Sequence, residues 1–266
     1  MHVAEQRPFS VRFGWGAEDL AVLARASDVI VIVDVLRFTT AVAVATARGA
    51  HVLPFRWRDA SAPRFAVEQG AVLAGLREDP ATPWSLSPTD LAGIPAGTRL
   101  VLPSPNGAAL SAAAIELGTT VVAGCLRNAA AVGALLAAEV AAGHRVAVIA
   151  AGERWPDPAG IPHAGPLRPV VEDLLGAGAV IARTVDAGVL TRVPISPEAR
   201  AAMAAFRAAE PDLHDELRGS VSGRELLALG WDDDVASAAR LDVDPVVPTL
   251  HDGAFTALQC ATGPIR

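Results

Sequence analysis

Apolar positions along this chain come in blocks rather than in strict alternation. Val29 to Val33 is an unbroken β-branched run bounded by Asp28 and Asp34, and an Ala/Val-rich stretch from Thr39-Thr40 to Gly49 follows it. The segment predicts strand, turn and helix. The unit then recurs. His51 to Phe55, Arg99 to Leu102, Thr120 to Ala123 and Arg145 to Ala150 are apolar runs of strand length, and helical patterns over 59–69, 107–117 and 128–142 separate several of them. Strands alternating with helices predict an α/β fold with a mostly parallel sheet covered on both faces.

The pattern breaks at 152–169, where Gly152, Pro156, Pro158, Gly160, Pro162, Gly165, Pro166 and Pro169 mark a long loop, a common place for function. Beyond it, 170–188 reads as helix, 197–209 as an Ala-rich helix, 223–240 as one or two more, and Val246 to Leu250 as a last strand. Two parts are expected: residues 1–151 as an α/β lobe carrying Asp34, Asn106 and Asn128, and residues 152–266 as the loop and a more helical lobe. A chain of 266 residues sits at the upper end of what one core can organise, so the two are expected to pack as one unit. No repeat of 20–50 residues is visible.

Composition narrows the chemistry. Apolar residues make up 52% and charged residues 19%, which fits buried helices and strands. All 22 basic residues are Arg, with no Lys and no Tyr. That excludes a Walker A lysine, a Schiff base and a Ser-Lys dyad. A net charge of −7 without a basic block argues against nucleic acid and anionic membranes as partners and leaves small molecules. Cys125 and Cys260 are too few for a zinc site, and their sparseness suits a reducing compartment. Met1 to Ser10 lacks an apolar core of signal-peptide type, and no apolar stretch reaches the roughly 20 residues of a membrane helix. A cytoplasmic protein is expected, free to assemble as a homo-oligomer.

Several motifs fail on inspection. Cys260 to Arg266 has the C-x5-R spacing of cysteine phosphatases but no following helix to lower the thiol pKa. Gly176-Ala-Gly178 begins like a dinucleotide fingerprint, yet Ile181 stands at the third glycine position, so helix packing is the better reading. Gly219 to Gly223 places Val221 where a nucleophile elbow needs Ser. None of the six histidines pairs at i, i+4; His163 stands out only because it lies in the long loop.

The surviving constellation gathers at strand ends. Asp34 and Arg37 follow a buried strand directly, where an acid can hold Mg²⁺ and an Arg can clamp phosphate oxygens bidentately. Helix capping with a surface Arg is the plainer alternative. Ser104-Pro-Asn106-Gly107 repeats the placement, with backbone N–H groups at a helix start that attract anions, although an ordinary N-cap uses the same residues. Asn128 sits similarly after the strand at 120–123. Glu172-Asp173 opens the helix after the loop; neighbouring helical residues point about 100° apart, so one is placed to bind a metal while the other caps. Asp232 to Asp234 reads as dipole stabilisation at a helix start.

Taken in order, these residues resemble the 2-phosphosulfolactate phosphatase family, the ComB-like proteins. The resemblance rests on Val33-Asp-Val-Leu-Arg-Phe-Thr-Thr40, Asn106-Gly107, Gly124-Cys-Leu-Arg-Asn-Ala129, Ala151-Gly152, Glu172-Asp-Leu-Leu-Gly-Ala-Gly178, Ser222-Gly-Arg-Glu-Leu226, Asp234-Val235 and Pro248. It implies a three-layer α/β/α fold and Mg²⁺-dependent hydrolysis of a phosphate monoester of a sulfonated hydroxy acid, in coenzyme M biosynthesis. The chain departs from the family at Leu86-Ser87-Pro88, where Asn-Ser-Pro is common, and at Ser104-Pro105, where Thr-Thr is. Combining residues and resemblance, Asp34, Glu172 and Asp173 are expected to hold Mg²⁺. Arg37, Asn106 and the amides around it would bind the phosphoryl group, with Ser104, Gly107 and Asn128 contributing to the substrate site. Arg127 and Arg168 are the candidates for a second anion, a sulfonate or carboxylate. A haloacid-dehalogenase mechanism lacks its second Asp, since Leu36 stands there, so direct attack by water is favoured. The rival reading is a non-catalytic module that binds a phosphorylated metabolite on the same fold.

Overall fold

The computed structural model describes residues 3–56, 60–79, 81–161, 165–187 and 194–258. Pro162, His163, Cys260 and Arg266 of the motifs above therefore lie outside the described residues. The chain forms a nine-stranded mixed sheet with helices on both faces. In chain order the elements that matter here are β1 (Val11–Trp15), α1 (Gly16–Leu23), β2 (Val29–Val33), α2 (Phe38–Ala47), β3 (His51–Phe55), α3 (Ser61–Glu68), β4 (Val72–Leu73), α4 (Pro88–Leu91), β5 (Arg99–Pro103), α5 (Gly107–Glu116), β6 (Thr120–Gly124), α6 (Ala129–Ala141), β7 (Val146–Ala150) and the short strands β8 (Glu153–Arg154) and β9 (Leu167–Arg168). There follow α7 (Val171–Asp186), α8 (Pro197–Ala209), α9 (Leu213–Gly219), α10 (Val221–Ala228), α11 (Asp232–Ala238), β10 (Val247–His251) and β11 (Ala254–Leu258).

The strand order is β1-β7-β2-β6-β10-β11-β3-β5-β4. The first four strands are mutually parallel, as are β3, β5 and β4. Between them the β10–β11 hairpin contributes three antiparallel pairings, to β6, within itself and to β3. An odd number of reversals makes β3, β5 and β4 run opposite to β2. A wholly parallel sheet would bring the ends of β2, β5 and β6 to one edge; with these reversals only β2 and β6 share it.

The end of β5 still reaches β2, because the sheet curls around α2 and α5. Helix α2 packs against β6, β10, β11 and β3, and α5 against β2, β6 and β3. Ile30 and Ile32 of β2 share one apolar cluster with Val52 of β3 and Leu100 and Leu102 of β5. Within that curl every residue from Phe38 to Thr46 is buried, as expected for a helix that is apolar all round. The opposite face of β2 (Val29, Val31, Val33) packs under α6, α7 and α8. The Gly176-Ala-Gly178 stretch serves this packing: a Cβ on Gly176 would lie 2.5 Å from Val35 Cγ2, and one on Gly178 2.1 Å from the Ala202 carbonyl. Within the stretch expected as a loop, β8 and β9 pair antiparallel with Glu153 opposite Arg168.

Candidate active site

The turn from β2 into α2 is shaped by its own side chains. The Asp34 N–H donates to Thr39 Oγ1 at 2.9 Å, that hydroxyl donates to the Asp34 carbonyl at 2.8 Å, and Thr40 Oγ1 donates to the Val35 carbonyl at 2.7 Å. The two threonines thus brace the backbone rather than offer oxygens to a ligand. Within the turn the Leu36–Arg37 peptide is cis.

Asp34 is buried beneath the turn. Its Oδ1 accepts from Phe38 N–H at 3.2 Å and its Oδ2 from Gly107 N–H at 2.8 Å, with the Ser104 hydroxyl at 3.5 Å. Glycine is required at 107, because a Cβ there would stand 2.4 Å from Phe38 Cδ1 and 2.8 Å from Asp34 Oδ2. The Asn106 N–H is engaged too, by Ser104 Oγ at 3.3 Å. The first amides of α5, expected to hold phosphate, are instead committed to Ser104 and Asp34. Asn106 itself is half-buried and makes no side-chain cap.

Two further acids meet Asp34 from the start of α7. Asp173 Oδ1 accepts from Val35 N–H at 2.7 Å and Oδ2 from Gly152 N–H at 2.8 Å, so this carboxylate fastens α7 to the ends of β2 and β7. Glu172 is 2% exposed, and its Oε2 is buried without a hydrogen-bond partner. The nearby hydroxyls of Ser222 and Ser220 offset only part of the rise that burial imposes on its pKa, and neither closes a bond to that oxygen. Burial pushes Asp34 up to about 6, assisted by the charge of Glu153 and, more weakly, of Glu172. Burial likewise raises Glu172, and it raises Asp173 well above the ordinary range with help from Asp34 and Glu172. Glu153, absent from the sequence-based set, is thus a fourth acid of the cluster. Its signal was available: it stands just past β7, the position that singled out Asp34 past β2.

The arginines divide. Arg37 donates Nη1 to Asp234 Oδ2 at 2.7 Å and stacks 4.5 Å over the Trp231 ring. Arg168 lies across the β8–β9 ribbon from Glu153, over Trp155 at 5.3 Å and 3.8 Å from Glu225, so it borders the acid cluster. Arg127 has a different task. It donates Nε to Asp244 Oδ2 at 2.6 Å, Nη2 to Asp244 Oδ1 at 3.1 Å and Nη1 to the Ser237 carbonyl at 2.8 Å, a set that consumes the bidentate fork intended for an anion. Asn128 is also consumed: its Oδ1 accepts from Cys125 N–H at 2.8 Å, and its Nδ2 donates to the Ala123 and Val246 carbonyls. Full burial leaves it no face for a ligand. Cys125, pushed up to about 11 by burial, is an inert thiol.

These donors are hard oxygens on a buried site with one orphaned carboxylate atom, which suits Mg²⁺. Among the described residues no three His, Cys, Asp or Glu converge as a complete ligand set. Mg²⁺ needs no such cage, since one or two carboxylates with waters and substrate phosphate oxygens are its usual complement.

Two comparisons identify the family. The family model for 2-phosphosulpholactate phosphatase matches residues 17–253. A protein of Deinococcus radiodurans named "Probable 2-phosphosulfolactate phosphatase" is 30% identical over 240 residues, 88% of this chain and 92% of that relative. With a family model over most of the chain and a relative at this identity and coverage, the chain belongs to the 2-phosphosulpholactate phosphatase family.

Proposed function

We propose that the protein is a cytoplasmic Mg²⁺-dependent phosphatase that hydrolyses a small phosphate monoester of a sulfonated or carboxylated hydroxy acid, 2-phosphosulfolactate to sulfolactate and phosphate, in coenzyme M biosynthesis. The observation that carries the reading is the buried Asp34–Glu172–Asp173 cluster, with Asp34 on the same turn as Arg37, in a chain of this family. Asp34 and Glu172 would hold the ion, which supplies charge neutralisation at the phosphoryl group. Asp173 fixes α7, which carries Glu172, to the ends of β2 and β7, the first of which carries Asp34. Arg37 presents its uncommitted N–H groups to phosphoryl oxygens, and Arg168 is placed to meet the second anion from the β8–β9 ribbon. Water attacks phosphorus opposite the ester oxygen, a carboxylate of the cluster takes its proton, the P–O bond breaks, and the departing alkoxide takes a proton from solvent to leave as the hydroxy acid. Positioning and charge account for most of phosphoryl transfer, so the absence of lysine is no obstacle.

Phosphate release from 2-phosphosulfolactate, 2-phospholactate and the phosphate monoester of an uncharged alcohol, with Mg²⁺ and with EDTA, tests this directly. Turnover of the two esters that carry a further anionic group, dependent on Mg²⁺ and lost in Asp34→Asn, is expected. Equal kcat/KM on the ester of the uncharged alcohol would refute the substrate class, and no phosphate release from any ester would refute the activity.

A further inference from the structure

Helix α11 opens with three aspartates, of which Asp234 alone is fully buried. Its Oδ1 accepts from the hydroxyls of Ser87 and Thr89, on and beside α4. Its Oδ2 accepts from Arg37 Nη1 at 2.7 Å and lies 3.1 Å from Arg77 Nη1. One buried carboxylate commonly neutralises one guanidinium; here two share a single oxygen. The charge of Arg77 is answered on its outer side by Asp233, whose Oδ2 accepts from Nη2 at 2.6 Å, and by Asp90 at 4.0 Å. Arg37 finds no such second partner among the described residues. Among the described residues its side chain makes only the Asp234 hydrogen bond, so four of its five N–H donors are unused. Trp231 lies against its face and Asp234 holds one edge. A guanidinium fixed in this way, with its other edge open, is preorganised for an anion.

We propose that Asp234 and Arg77 are positioning residues for Arg37: Asp234 fixes the guanidinium through Nη1, and Arg77, by sharing Asp234 Oδ2, keeps Arg37 from being neutralised, so that its open edge binds phosphoryl oxygens. The inference rests on the reading of Arg37 as the phosphoryl-binding residue and extends it to residues about 40 and 200 positions away in sequence, brought together by α4 and α11.

A double-mutant cycle on the full chain tests it, with inorganic phosphate as the probe in isothermal titrations at fixed ionic strength and Mg²⁺. Asp234→Asn and Arg77→Gln should each weaken phosphate binding about tenfold beside Arg37 and cause no further loss in an Arg37→Gln background. Ser87→Ala leaves every charge in place and serves if Asp234→Asn fails to fold; a loss of about threefold is expected, again only beside Arg37. Equal losses in both backgrounds, undiminished binding by Arg77→Gln and Ser87→Ala, or no phosphate binding by the wild type would overturn the proposal. Parallel phosphate-release assays keep the two readings apart. Coupling without turnover of any ester would refute the proposed reaction and leave the positioning role standing, whereas turnover without coupling would do the reverse.

Discussion

Asp34, Glu172 and Asp173 are costly residues to bury together, and that cost gives the site a pH signature. In the cation-free protein the folded pKa of Asp34, about 6, lies above its ordinary 3.8. The folded state therefore binds more protons than the unfolded state between these values. Its contribution to stability is fully present below about pH 4 and is lost as pH rises through about 6. Thermal unfolding in EDTA between pH 4 and 7 should show Tm falling over that window, and added Mg²⁺ should raise Tm at pH 7 far more than at pH 4. Glu172→Gln removes one repelling charge from an oxygen without a partner. It should stabilise the cation-free protein by roughly 1 kcal/mol and abolish both the Mg²⁺ response and turnover; a variant destabilised in EDTA would show that Glu172 is satisfied as it stands. Asp34, Arg37 and Glu172 were legible in the sequence because each adjoins a strand or helix end that the apolar pattern marks. Asp234 read as a dipole cap, since its partners at 37, 77, 87 and 89 lie far away in the chain.

At the level of elements, α5 shows how tightly the site is tied to backbone geometry. Its first residue, Gly107, donates to Asp34 from a position where a methyl would meet both Phe38 and Asp34. Gly107→Ala should move α5 off the turn, costing about 1–3 kcal/mol by overpacking and lowering kcat with it. Unchanged activity would mean that Asp34 does not need this amide. The repeating strand–helix units from β2 to β7 were legible because buried parallel strands are nearly continuous apolar runs. Of the strands that the apolar pattern did not mark, β1 and β11 were missed for opposite reasons. In β1 a fully buried Arg12, donating Nη1 to the Glu5 carbonyl and Nη2 to that of Ala26, interrupts the apolar pattern, and only tertiary contacts make it a core residue. In β11 the signal was present: Asp252-Gly253, both at positive φ, is the two-residue turn that joins antiparallel strands.

For the molecule as a whole, the β10–β11 hairpin decides how the chain unfolds. A division near residue 151 assigns it to the C-terminal part, yet it sits between β6 and β3 and supplies the only ladder between the two parallel blocks of the described sheet. No local pattern could show this, because pairing partners are not written in the strand that lacks them. Phe255 of β11 is fully buried, shares the apolar cluster inside the curl, and meets Phe38 edge-on at 6.3 Å between ring centroids. Phe38 in turn borders Gly107 and donates its amide to Asp34, so hairpin, curl and site are one packed body. Calorimetry should therefore give a single transition with equal calorimetric and van't Hoff enthalpies. Phe255→Ala should remove about 3–5 kcal/mol and lower Tm by roughly 10 °C while keeping the transition single. If instead that variant shifts one of two resolved transitions and leaves the other in place, the lobes fold independently and the hairpin is an appendage to one of them.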